Sequence, residues 1–359
     1  MKALLSILLL SSLGFAEDNT TKAQHFDTLS VTATKTATRT RDISQSIAVV
    51  DRAKLDQLPM TNINDALQEI PGVLAVSKNG GYDSRLYIRG AGIKANYGIR
   101  EIMILRDGFP MTDPDSFSRM DFINMEDVKQ IEVTKGPGSI YASGSAGGTI
   151  NIIPFSVFDN TDDRIKIGYG SFNSRKAHFK VSAKVSDKDF VSLTASHQYN
   201  EATWRNHNKF ENYQTSLKYG HIFDDSSTVE TELSYTKSDL ELPTKLTQAE
   251  FDLYKTTGTV ESTSDLFQHS ARNSEVLFFS TKYEKDFDGF TFAPKIFYNG
   301  WSHFHPVTGF INDSTGNHVF GTDLQINADH TLFSKEAKLV TGLSIRNDMS
   351  IGEEKYTYL

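Results

Sequence analysis

From about residue 163 to residue 359 the chain alternates apolar and polar side chains over segments of roughly ten residues, which narrows its fold more than any other feature. Ile165, Ile167 and Tyr169 open the pattern, and Ala177, Phe179, Val181, Ala183 and Val185 continue it. Val191, Leu193, Ala195 and Tyr199 follow, then Tyr213, Leu217 and Tyr219, then Val229, Leu233 and Tyr235. Leu277, Phe279 and Tyr283 repeat it, as do Leu324, Ile326 and Ala328. Lys, Ser, Thr, Gln, His and Glu fill the positions between. A period of two describes a strand with unlike faces, and the alternation predicts about nine such strands. Their connections alternate too. Asp187-Lys188, Asp224 to Ser227, Asp286 to Gly289 and Ser334-Lys335 read as tight turns, whereas 200–208, 239–271 and 305–318 read as long loops. Gly170 to Ser174 is short but falls on the long-loop side. Aromatics such as Tyr199, Phe210, Tyr213, Phe223, Phe287, Phe290, Trp301 and Phe304 gather near strand ends. Short turns at one end, long loops at the other and aromatic girdles are expected of a transmembrane β-barrel. A soluble sandwich or propeller also alternates, but such long strands and such regular loop lengths fit it less well.

Helices do not offer a second route across a bilayer. The apolar run Ala3 to Phe15 follows Lys2 and ends at Gly14-Phe15-Ala16, with small residues at −3 and −1. Its length, about 13 residues, falls short of the roughly 20 that a spanning helix needs. Residues 1–16 are therefore expected to be a signal peptide, with Glu17 and Asp18 beginning the mature chain. The sequence has no cysteine, which excludes lipoprotein anchoring, disulfides, cysteine-ligated zinc and thiol catalysis. Its formal net charge of −8 argues against nucleic acid as a partner.

Two regions separate the signal from the strands. Residues 17–42 are polar and threonine-rich, too poor in apolar groups to fold alone. Within them Thr28, Leu29, Ser30, Val31, Thr32 and Ala33 form an isolated β-prone patch. It reads equally as a fraying strand of the next domain or as a peptide that adds to a partner's sheet edge. Residues 43–154 read as a compact α+β domain. Ile47 to Val50 predicts a strand, and Thr61 or Asn62 caps a helix stopped by Pro71-Gly72. Short apolar runs follow at Val73 to Val76, Leu86 to Ile88, Ile102 to Leu105, Ile131 to Val133 and Thr149 to Ile153.

Four motifs of this domain, NINDALQEIPGV (Asn62 to Val73), RLYIRG (Arg85 to Gly90), IMILRDGFPMTDPD (Ile102 to Asp115) and DVKQIEVTKGPGSIYASGSAGGTINIIP (Asp127 to Pro154), resemble those of the TonB-dependent outer-membrane receptors in order and spacing. The last follows the family's IExIEVxRGPxSxLYGxxAxGGxINI block almost residue by residue. The resemblance implies an α+β plug at 43–154 inside an antiparallel barrel that begins at 163 and would number about 22 strands when whole. It also makes residues 28–33 the TonB box, presented to TonB and its inner-membrane energy complex. Nine strands do not close such a barrel, so the chain is expected to be an N-terminal fragment. Arg89 and Lys135, the latter where the family has arginine, are the implied plug–barrel contacts. Arg106 and Tyr141-Ala142 are further departures from the family pattern.

The implied function is uptake of an iron chelate, siderophore or ferric citrate, through the outer membrane, with cobalamin as the alternative. Substrate contacts are expected at the basic, aromatic and amide plug positions Tyr82, Arg85, Lys94, Asn96, Tyr97, Arg100, Arg106 and Arg119. His303 and His305 share a strand face and could hold a metal, although surface histidines near a girdle explain them better. The cluster Gly136 to Gly148 lacks the lysine and hydroxyl of a phosphate loop and reads as tight turns. No nucleophile or acid–base arrangement stands out, so neither enzymatic activity nor a cofactor is expected. A porin or adhesin is a further class, disfavoured because a plug of this size would fill the lumen.

Overall fold

The computed structural model describes residues 30–31, 35, 38–40, 43, 45–57, 62–77, 83–95, 98–112, 118–137, 145–159, 163–260 and 265–356. The expected signal peptide lies outside these residues, as do Thr28, Leu29, Thr32, Ala33 and Tyr141-Ala142.

A small hairpin leads the described chain: β1 (Ser30–Val31) pairs antiparallel with β2 (Thr38–Arg39). The inner domain comprises β3 (Ser46–Asp51), α1 (Arg52–Gln57), α2 (Ile63–Leu67), β4 (Val73–Ser77), β5 (Ser84–Ile88), β6 (Ile102–Arg106), β7 (Phe109–Pro110), β8 (Val128–Lys135) and β9 (Gly148–Pro154). One sheet runs β3-β8-β9-β6-β7, with β6 and β9 parallel, while β4 and β5 form a separate pair. Asn62 rather than Thr61 caps α2: its side chain accepts from the Asn64 amide, and Asp65 reaches back to the Asn62 amide. That reciprocal box fixes the helix start and turns Ile63, Ala66 and Leu67 into the core, where each is fully buried. Ile104, Ile131 and Ile150 meet them from the sheet. Gly148 begins β9 at φ +136°, and a Cβ there would stand 2.1 Å from the Thr134 carbonyl oxygen. Only glycine allows that approach.

The wall comprises β10 (Arg164–Gly170), β11 (Ser174–Lys184), β12 (Asp189–Asn200), β13 (Phe210–Ile222), β14 (Thr228–Glu241), α3 (Gln248–Thr257), β15 (Ala271–Phe287), β16 (Phe290–Phe292), β17 (Lys295–Val307), β18 (Phe310–Leu332) and β19 (Lys335–Tyr356). Its strands are antiparallel neighbours in one sheet. β16 and β17 meet β15 in a single register, Lys285 opposite Phe292 and Lys282 opposite Lys295. They form one crossing interrupted at 293–294, where Pro294 has no amide proton for the ladder. Ten segments therefore make nine crossings, and among the described residues β10 and β19 each have a neighbour on one side only.

Burial along the wall is inverted relative to a water-soluble sheet. In β13, Tyr213, Leu217 and Tyr219 point outward and are exposed, whereas Asn212, Gln214, Ser216 and Lys218 are buried against the inner domain. Ile167, Leu193, Leu233, Leu277 and Leu324 extend the exposed apolar face across neighbouring strands. Apolar outside and polar inside is the arrangement a bilayer requires. No helix among the described residues is long and apolar enough to cross a membrane, which says nothing against strands.

Two loop expectations need correction. Residues 305–318 are not a long loop: β17 and β18 extend through them to a turn at 308–309, with Gly309 at φ +90°. His305 and His318, within that expected loop, accordingly stand in strands, as His303 does. The long 242–270 connection is partly ordered as α3, which Thr247 and Glu250 cap and Gly258 ends at φ +73°.

Candidate functional site between the inner domain and the wall

The inner domain packs into the wall through one continuous apolar core. Phe109 contacts the Phe278 and Phe297 rings at centroid distances of 6.0 and 5.4 Å. Around this core, charged groups fall into two tiers.

The first tier lies toward the tight-turn end of the strands. Arg106 donates to Glu232 and stands 4.0 Å from Asp127. Asp127 also takes Lys218 at 2.8 Å and Lys180 at 4.0 Å. Asp107 pairs with Lys282, which reaches Glu230 at 3.0 Å. Arg106, Asp107 and Asp127 thus each answer an opposite charge on the wall, which is how buried charges are tolerated at all. Higher on the wall Glu126 receives Lys166 at 2.9 Å and Lys176 at 2.8 Å. Burial alone would push its carboxyl up, but the two ammonium groups override it and hold the group down at about 2 against an ordinary 4.5. A carboxyl depressed on folding stabilises fully above its unfolded value and loses that contribution as pH falls through the folded one. Acidification from pH 4.5 to about 2 should therefore loosen the inner domain, and Glu126→Gln should flatten the response. Protease sensitivity of the inner domain across that range measures it, and identical profiles for parent and variant would contradict it.

The second tier lies toward the long-loop end. The Asp121 carboxylate accepts from Ser274 at 2.6 Å and Arg119 at 3.2 Å, and its carbonyl accepts from Asn212 and Gln214, both at 3.1 Å. Arg119 lies flat on Trp301, its guanidinium carbon 3.7 Å from the ring centroid. Trp301, His303 and His305 stack in sequence at 4.8 and 5.4 Å. Arg272 bridges to Asp83 at 3.0 Å, and Arg346 donates to the Thr112 carbonyl at 2.8 Å. No group of three or more metal-ligating side chains occurs among the described residues.

Of the substrate-contact candidates, Lys94 and Arg100 are exposed, Arg85 is half-buried on β5, and Arg119 joins the second tier. Tyr82, Asn96 and Tyr97 lie outside the described residues. Arg106 is not available to a substrate: it is 7% exposed and locked in the first tier. Lys135 donates to the Pro71 carbonyl at 2.7 Å within the inner domain, and Arg89 is exposed. Most of the ion pairs between the two bodies come from acids that sequence reasoning passed over, Asp83, Asp107, Glu126 and Asp127, while Arg106 supplies the pair with Glu232. Their signal was available on the wall, where Lys180, Lys218, Glu232 and Lys282 occupy the polar phase of strands otherwise filled by Ser, Thr and Asn.

Residues 39–149 match the family model of the TonB-dependent Receptor Plug Domain. A vitamin B12 transporter, BtuB, of Vibrio vulnificus strain YJ016 is 26% identical over 258 residues, 68% of this chain and 41% of its own length. The unliganded ferric citrate transporter FecA superposes with a TM-score of 0.73 at 19% identity, over 88% of this chain and 49% of that one. The ferripyoverdine receptor of the Pseudomonas aeruginosa outer membrane gives 0.72 at 17% identity, over 90% and 45%. The chain therefore spans under half the length of each of these relatives.

Proposed function

Starting from a chain that carries a TonB-dependent receptor plug domain within the fold of that family's barrels, we propose that it forms the plug and part of the wall of an outer-membrane receptor. The receptor takes up an iron chelate, a siderophore or ferric citrate, at the expense of energy delivered through TonB. One observation carries this reading: the inner domain fills the concave face of a wall that is apolar outside and polar inside, and is tied to it by reciprocal ion pairs. Such a seal opposes free diffusion, so a passive porin fits poorly, and transport requires that the plug be moved. Residues 28–33 are the handle for that movement, adding as a strand to TonB. No catalytic role is assigned.

The basic, aromatic and amide plug positions, Tyr82, Arg85, Lys94, Asn96, Tyr97, Arg100 and Arg119, suit an anionic chelate with aromatic or carboxylate donors. Cobalamin is the second reading, favoured by the vitamin B12 transporter among the relatives. Growth of a deletion strain and its parent on a panel of iron chelates and cobalamin separates the two. Loss of growth on cobalamin alone would reject the iron reading. In the intact receptor, Tyr97→Ala and Arg100→Ala should each lower uptake of the radiolabelled chelate about tenfold, the loss of one good contact. Unchanged uptake in both would remove them from the site.

A further inference from the structure

The inward face of β10 to β13 carries charge of one sign. Strand phase turns its even-numbered residues toward the inner domain, and the register keeps that phase from strand to strand. Arg164 lies opposite Lys180, Lys166 opposite His178, and Lys176 opposite Gln198. These inward positions include Arg164, Lys166, Lys176, Lys180 and Lys218, and no aspartate or glutamate. Thr194, Gln214 and Ser216 fill buried places between them with neutral polar groups. Inward acids begin on β14, where Glu232, the register partner of Lys218, holds Arg106, and Glu230 holds Lys282.

The inner domain answers this face with fewer charges than it meets. Glu126 takes Lys166 and Lys176, with Arg164 at 4.0 Å, and Asp127 takes Lys218, with Lys180 at 4.0 Å. Among the described residues Asp56, 4.0 Å from Arg164, is the remaining carboxylate within that distance, and Arg52 already holds it. Asp127 is likewise shared with Arg106. Five cations of the wall therefore meet three carboxylates, two of which also serve arginines of the inner domain. Lys180 lies instead over the Phe155 ring, 4.2 Å from its centroid. His178, between Lys176 and Lys180 on β11, shares the inward phase; it is 2% exposed, and neither ring nitrogen has a hydrogen-bond partner. A buried polar group left without a partner costs free energy that this arrangement does not return. Surplus positive charge beside an unsatisfied imidazole describes a site for anionic oxygens.

We propose that these cations and His178 form a binding path along the wall for an anionic chelate, and that Glu126 and Asp127 stand in the places its anionic oxygens take once the plug moves. The path deepens the uptake function proposed above and rests on it for the cargo. Lys180 and Lys218 stand toward the tight turns, Lys166 and Lys176 nearer the long loops, so the column runs along the direction of transport. At its upper end a cavity between the two bodies is lined by Asn124, Lys176, Ser196, Gln198 and Gln214, all polar. Withdrawing Glu126 and Asp127 with nothing in their place would leave the buried Lys180 and Lys218 unpaired, which is costly. An anionic ligand entering the column removes that cost and a neutral one does not, so substrate charge enters the energetics of plug movement.

Planar bilayers holding the full-length receptor, with the plug loosened by urea and a KCl gradient across the membrane, give a reversal potential that reads the charge preference of the opened lumen. Lys166→Gln combined with Lys176→Gln should lower the chloride-to-potassium permeability ratio about threefold. Lys176→Arg keeps the charge and should leave the ratio unchanged, as should Lys237→Gln on the outward face of β14. An unchanged heat-modified gel shift shows that each barrel has assembled. A role confined to seating the plug would not move the ratio once the plug is loose. Ferric citrate added on the long-loop side should block the current, with a half-blocking concentration about tenfold higher in the double variant. An unchanged ratio in the double variant, or an equal change in Lys237→Gln, would overturn the path, and equal block by neutral cyanocobalamin would overturn its selectivity for anions. Neither measurement involves TonB or uptake. A receptor that passes both while cells accumulate no iron chelate through it keeps the path and loses the proposed function.

Discussion

Glu232→Gln should be the most damaging single change in the wall. Glu232 holds Arg106 and accepts from Ser216 Oγ at 2.8 Å, and all three side chains are buried. Glutamine keeps the shape and one acceptor but removes the charge. Arg106 would be left with Asp127 at 4.0 Å, an anion that Lys218 already holds at 2.8 Å. Removing one partner of a buried pair costs about 3–5 kcal/mol, because the remaining charge is desolvated without compensation. Exposed pairs elsewhere, such as Lys188 with Asp224, are screened by water and should contribute far less. The expected result is a plug that is cleaved by protease at urea concentrations the parent tolerates, with the wall intact. A second variant tests the cause. Arg106→Met with Glu232→Met removes both charges together, and an apolar pair of similar volume should recover most of the loss. If the double variant is as labile as Glu232→Gln, shape and packing rather than charge hold this contact.

The same contact shows why part of this site could not be read from the sequence. Arg106 and Glu232 are 126 residues apart, and nothing local to either residue announces the other. What the sequence does encode is the phase of each strand: Leu217 and Tyr219 outward, Ser216 and Lys218 inward, a property of period two that needs no tertiary knowledge. The cap of α2 is equally local, an asparagine with an aspartate three residues on. The β17–β18 hairpin misleads for a physical reason. Its residues Asn312, Asp313, Ser314 and Gly316 have turn chemistry, and register shifts at Trp301/His303 and Ser314/Gly316 break the alternation. α3 was missed although its capping box and terminal glycine were present, because ten residues with no buried face carry little periodic signal. Arg106 reads as a substrate contact in the sequence because a basic residue in a glycine-containing hairpin resembles one. Its burial follows from β6 being a central strand, buried along its whole length.

Val31→Pro should reduce energised uptake to the background of a strain lacking TonB while chelate affinity stays within about twofold of the parent. In strand addition the main chain supplies the affinity, through amide and carbonyl groups that pair with the partner's sheet edge. Proline has no amide proton and its ring blocks the neighbouring strand, so one substitution removes a ladder bond and disrupts those beside it. Val31→Ala keeps the backbone and should retain most of the uptake. A side-chain pocket on the partner would give a different order, with alanine nearly as harmful as proline. The chelate-binding positions proposed here lie on the plug beyond residue 81, far along the chain from Val31, so binding and coupling should separate cleanly. Equilibrium binding of the radiolabelled chelate to whole cells, beside its time-dependent accumulation, measures both quantities in one preparation. Normal accumulation by Val31→Pro would remove residues 28–33 as the coupling peptide and leave the plug's handle to be sought elsewhere. A loss of binding as well as uptake would point instead to a folding role for the β1–β2 hairpin, in which Val31 pairs with Thr38.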